Sequence, residues 1–101
     1  MQTEFTSIVQ QAVDLSVKFL NNEIPAQKYV PMFEDLIADD DEGETSQEKY
    51  VKIFGEVHEW IALYNPDPEF RATNEHLIEE TELRQHVTVF LKKLGVNNIR
   101  Q

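Results

Sequence analysis

Residues 50–64 read Tyr-Val-Lys-Ile-Phe-Gly-Glu-Val-His-Glu-Trp-Ile-Ala-Leu-Tyr. Tyr50, Ile53, Phe54, Val57, Ile61 and Tyr64 recur three and four residues apart, which puts them on one face of an α-helix. The spacing predicts a helix over about 47–64. Asn65-Pro66-Asp67-Pro68 then stops it, because a residue before proline is pushed out of the helical region. The same periodicity recurs outward from this segment. Upstream, Tyr29, Phe33, Leu36 and Ile37 line a helix over about 25–38, and Pro25 is tolerated in its first turn because an N–H there has no intrahelical partner. Further upstream, Phe5, Ile8, Ala12, Phe19 and Leu20 share a face, with Leu15 at its margin. That helix spans about 3–21, with Thr3 as N-cap and Asn21-Asn22 as its end. Downstream, Leu83, Val87, Phe90, Leu91 and Leu94 mark a helix over about 80–94, and Gly95 is a natural stop. Residues 39–46 carry no apolar side chain and read as a loop; the stretch up to Ile78 reads as a loop or short turn.

No segment alternates with period two, so the expected class is all-α: an antiparallel four-helix bundle with short connections. The 101 residues suit one domain, 1–101, without an internal repeat or a long linker. The absence of cysteine excludes disulfides and thiolate metal sites, in keeping with a reducing cytoplasm. The start of the chain has Glu4 and no basic residue before Lys18, unlike a secretory signal. The longest apolar run, Trp60 to Tyr64, is far too short for a bilayer. Expected localisation is therefore cytoplasmic, with no membrane partner; the oligomeric state is left open.

Charge is the strongest compositional signal. Nineteen acidic and nine basic residues leave a net charge of −10. Such a surface repels nucleic-acid phosphates and anionic lipid and attracts basic proteins. Between Glu23 and Glu48 stand nine acidic residues against one lysine, Lys28. Asp39, Asp40, Asp41 and Glu42 follow a helix C-terminus, where the helix dipole disfavours negative charge by about 0.3–1 kcal/mol per exposed group. A feature that opposes local stability can be retained for recognition; the alternative is a solvated loop. Glu56 and Glu59 form a second acidic pair on the third helix, with Trp60 at the margin of its apolar stripe. Trp60 there suits either an interface anchor or a cap on the core.

Catalytic and metal patterns fail on spacing. An EF-hand loop needs glycine at position 6 and oxygen ligands at 1, 3, 5 and 12. Placing Gly43 at position 6 puts Ala38 at 1 and Lys49 at 12, while starting at Asp39 puts Glu44 where glycine belongs. His58-Glu59-Trp60-Ile61-Ala62 lacks the second histidine of a zinc-protease helix. His58, His76 and His86 have no ligand-like spacing, and Ser7, Ser16 and Ser46 sit in no nucleophile motif. Neither an enzyme nor a metal or cofactor protein is expected.

The run Ala62-Leu63-Tyr64-Asn65-Pro66-Asp67-Pro68-Glu69-Phe70-Arg71, continuing into Leu77-Ile78-Glu79-Glu80-Thr81-Glu82-Leu83-Arg84, resembles the colicin D-type bacterial immunity proteins and related contact-dependent growth-inhibition immunity proteins. The first half is similar too, with Lys18-Phe19-Leu20 closing one helix and Glu23-Ile24-Pro25-Ala26 leading into the next. The resemblance implies a four-helix bundle that binds the nuclease domain of a cognate toxin, a transfer-RNA-cleaving enzyme for colicin D, and covers its basic cleft with acidic side chains. It places Glu56 and Glu59 where such proteins carry binding carboxylates. The Asp39–Glu44 loop is longer and more acidic than the family's. The expected toxin-binding set is thus Asp39, Asp40, Asp41, Glu42, Glu44, Glu56, Glu59 and Trp60, with Asp67 and Glu69 from the turn. A rival reading is an acidic helical adaptor or nucleic-acid mimic that binds some other basic protein.

Overall fold

The computed structural model describes residues 7–96. Five helices follow in order: α1 (Ile8–Leu20), α2 (Ala26–Ala38), α3 (Glu48–Leu63), the single-turn α4 (Pro68–Ala72) and α5 (Glu80–Lys93), with a 3₁₀ turn at Glu44–Ser46. The four long helices match the periodic segments, and no strand occurs among the described residues. Two boundaries differ from expectation. Thr3 and Phe5 lie outside the described residues, and Ser7 caps α1, its hydroxyl accepting from the Gln10 N–H at 3.0 Å. Pro25 is the N-cap of α2 and lies outside its first turn, with extended backbone and a carbonyl that accepts from Lys28 and Tyr29.

Helix ends follow from local chemistry. At the end of α1, Asn22 takes the left-handed conformation (φ 65°) and Glu23 N–H bonds back to Lys18 O at 2.8 Å. Gly95 (φ 87°) does the same after α5, with Val96 N–H on Leu91 O at 2.9 Å. Both are left-handed caps that satisfy last-turn carbonyls.

The helices form a ring: α1 packs on α2, α2 on α3, α3 on α5, and α5 back on α1. Paired contacts run in opposite chain order. Along α3 and beyond it, Glu56 meets Lys93, Trp60 meets His86, and Tyr64 bridges Ile78. Arg84, near the start of α5, donates to Leu20 O at the end of α1. These pairings make neighbours antiparallel, as in an up-down bundle.

An aromatic chain fills the centre. Phe19 stacks on Tyr29 at 4.4 Å, Tyr29 meets Phe33, and Phe33, Phe54 and Phe90 form a mutually packed trio at 5.1–6.3 Å. The apolar faces of α1, α2, α3 and α5 converge here, and Ala12, Val57, Ile61, Leu83, Val87 and Leu91 are buried around it. One polar pair lies inside: the Ser16 and Tyr29 hydroxyls are 2.8 Å apart, both side chains fully buried. Burial pushes the Tyr29 phenol well above its ordinary value, so it stays neutral and hydrogen-bonds to the Ser16 hydroxyl.

The segment between α3 and α5 is closed at its base. Ile78 N–H donates to Leu63 O (2.9 Å) and Asn65 N–H to Ile78 O (3.1 Å), forming an isolated parallel bridge. Arg71 Nη1 donates to Asn65 O at 2.7 Å. Ile78 is buried, whereas no residue of 66–76 is.

Candidate functional site: a groove between α3 and α5

The ten residues singled out in the sequence fall in three places. Asp39, Asp40, Asp41, Glu42 and Glu44 surround a shallow pocket of about 290 Å³ beside Ser7 and Ile8 at the start of α1. Two of them are engaged by the fold. The Asp40 carboxylate accepts from Glu44 N, Thr45 N and Thr45 Oγ1 at 2.8–2.9 Å. The Thr45 backbone bond chiefly holds its carboxyl below the usual range, with the Thr45 hydroxyl and the Glu44 and Gly43 amides adding to the effect. Glu44 Oε1 accepts from Val9 N at 2.8 Å, satisfying an orphan N–H of α1's first turn. Asp39, Asp41 and Glu42 are exposed.

Asp67 and Glu69 lie at the other end of α3. The Asp67 carboxylate is the N-cap of α4, accepting from Glu69 N at 3.0 Å, and Pro68 follows it in the first turn. Glu69 is exposed next to Phe70, which is 55% exposed. With a rise of about 1.5 Å per residue, α3 puts roughly 24 Å between this turn and the acidic loop.

Glu56, Glu59 and Trp60 belong to a third site. Here α3 and α5 leave an open groove of about 380 Å³, lined by these three residues and by His86, Val89 and Lys93. Trp60 stacks face to face on His86, ring centroids 3.8 Å apart and planes 8° from parallel. Trp60 is half-buried and packs against the core, and the stacked indole and imidazole together form an aromatic wall of the groove. Burial lowers the His86 pKa, with Glu82 opposing, which favours the neutral ring. Glu56 Oε1 accepts from Lys93 Nζ at 2.7 Å. That bond, and then the lysine's charge, hold the Glu56 carboxyl below the usual range. Glu59 is exposed and has no ion-pair partner among the described residues. Val89 is 48% exposed at the groove edge.

The apolar periodicity of α5 does not mark its side of the groove: His86 has no ligand-like spacing and is partly exposed in the structure. A signal existed: His86, Val89 and Lys93 recur at helical spacing as a second stripe beside the apolar one. Among the described residues no three His, Asp or Glu side chains are grouped so as to hold a metal ion.

This is a two-helix groove with an aromatic wall, an apolar edge and carboxylates in front of it, on a strongly acidic bundle. A family model described as bacterial self-protective colicin-like immunity matches residues 7–94. The chain belongs to the colicin-like immunity family. No curated protein and no solved structure matches the chain. The family match takes in all four long helices, the acidic loop and the groove, so the family likeness extends well upstream of the turn after α3. As a colicin-like immunity protein, it serves to neutralise a toxin. None of the described helices is long and apolar enough to cross a membrane.

Proposed function

We propose that this protein protects the cell that makes it by binding the nuclease domain of a cognate toxin in the cytoplasm and shielding its basic cleft. The toxin is of the transfer-RNA-cleaving class, and inhibition is stoichiometric, with no catalytic step and no cofactor. The observation that carries this reading is the α3–α5 groove, where exposed Glu59 and half-buried Glu56 flank the Trp60–His86 wall. A nuclease must offer lysines and arginines to phosphate. Carboxylates set beside a large aromatic surface can occupy that cleft, because buried aromatic anchors supply interface energy while charge sets register and encounter rate.

The groove is the centre of this interface. Asp40 and Glu44 are committed to the loop and to α1, whereas exposed Asp39, Asp41 and Glu42 add to the attractive field around it. Asp67 and Glu69 contribute at the rim.

The test is co-expression with the toxin encoded beside this protein. The double variant Glu56→Lys, Glu59→Lys is expected to lose protection while keeping its helical circular dichroism. Asp41→Lys with Glu42→Lys is expected to protect nearly as well as the parent. The opposite ranking would move the interface to the loop, and failure of the parent chain to protect would refute the reading altogether.

A further inference from the structure

We propose that Lys93 is a built-in competitor for the Glu56 carboxylate and thereby sets how strictly the groove demands a cation from its partner. The idea rests on the reading that this groove meets a basic toxin surface. Lys93 reaches Glu56 from the last turn of α5, 37 residues away in the chain, and is the one lysine or arginine among the groove's described lining residues. Its ammonium sits 2.7 Å from Glu56 Oε1, one of the two oxygens that a partner's guanidinium needs for a bidentate contact. Both side chains are close to half exposed, 46% for Lys93 and 45% for Glu56. Exposed pairs of this kind contribute little net stability, so this one opens readily. The displaced ammonium is carried into solvent on a flexible four-carbon stem.

The consequence is an exchange. A partner that brings its own cation replaces Lys93 one for one, and Glu56 stays paired as the groove is covered. A neutral partner group that pushed Lys93 aside would leave Glu56 desolvated against the Trp60–His86 wall, and an uncompensated buried charge is strongly disfavoured. Lys93 therefore adds a small cost for every partner that displaces it, while the heavy cost to a neutral group comes from the Glu56 carboxylate it would leave unpaired. Glu59, which has no such internal partner among the described residues, draws basic groups without this selection.

The experiment compares Lys93→Gln with Lys92→Gln against the catalytically inactivated nuclease domain of the neighbouring toxin, measuring association and dissociation rates at physiological salt. Lys92 is exposed, lies in the same last turn, and changes net charge and helix-end charge equally, yet has no part in the ion pair. Lys92→Gln is expected to raise the association rate slightly and leave dissociation unchanged. Lys93→Gln is expected to slow dissociation as well, tightening affinity about two- to fivefold beyond the Lys92 variant. Lys93→Arg should restore parental dissociation, and Lys93→Ala should repeat the glutamine result should that variant fold poorly. Equal behaviour of the two glutamine variants, or weaker binding by Lys93→Gln, overturns the competitor role alone. Absence of binding by the parent chain overturns the toxin reading and this one together.

Discussion

Ser16 and Tyr29 illustrate how much a single buried hydroxyl pair decides. Both side chains are fully buried, and among the described residues their hydroxyls bond only to each other. Ser16→Ala strands the Tyr29 hydroxyl and should lower stability to urea by about 1–3 kcal/mol, the cost of an unsatisfied buried group. Tyr29→Phe should cost less, because a helical serine can turn its hydroxyl to the carbonyl four residues back, here that of Ala12. The double variant should recover most of the larger loss, since removing both partners leaves nothing unpaired. Sequence periodicity could not show this pair, because a serine on an apolar face carries no hydrophobic signal of its own. The same blindness hid Lys93 beside Glu56 and His86 against Trp60, contacts between residues 37 and 26 positions apart. Arg84 belongs here too. It salt-bridges Glu80 at 2.9 Å, donates to Asn22 Oδ1 at 2.8 Å and lies over the Phe19 ring, tying α5 to the end of α1.

At the scale of elements, the acidic loop serves the fold. Asp40 organises the turn into Glu44–Ser46, and Glu44 satisfies the start of α1. Because the Asp40 carboxyl is held below its unfolded value of 3.8, it stabilises the fold at neutral pH. That contribution is complete above 3.8 and fades as pH falls through the lowered folded value. Asp40→Asn should accordingly be less stable than the parent at pH 7 and converge with it in strong acid, as followed by urea midpoints across pH. The long helices were legible because their apolar stripes are long enough to set a period. The single-turn α4 was not, since none of its five residues is buried and nothing marks a face. Its trace in the sequence was Asp67-Pro68, an N-cap followed by a first-turn proline, within a segment read as a loop or short turn.

For the molecule as a whole, a charge of −10 acts beyond any contact. Attraction to a basic partner should make association fast and strongly screened: raising salt from about 0.01 M to about 1 M shrinks the Debye length from about 30 Å to about 3 Å. The association rate should fall by one or more orders of magnitude while dissociation changes far less, which stopped-flow mixing would show. Fold class and family were both readable in the sequence, the first from periodicity and the second from the turn after the third helix. The groove was half readable, because its α3 wall lies within one helix and its α5 wall is brought there only by folding. The bridge at Tyr64 and Ile78 has a consequence of another kind. It ties off residues 66–76 at a buried base, while none of those residues reaches the core. Folding and surface identity are thereby uncoupled at that point. Apart from Arg71, which holds Asn65 O, and the capping Asp67, side chains of that stretch can be exchanged at the surface with the packing of the bundle left as it is.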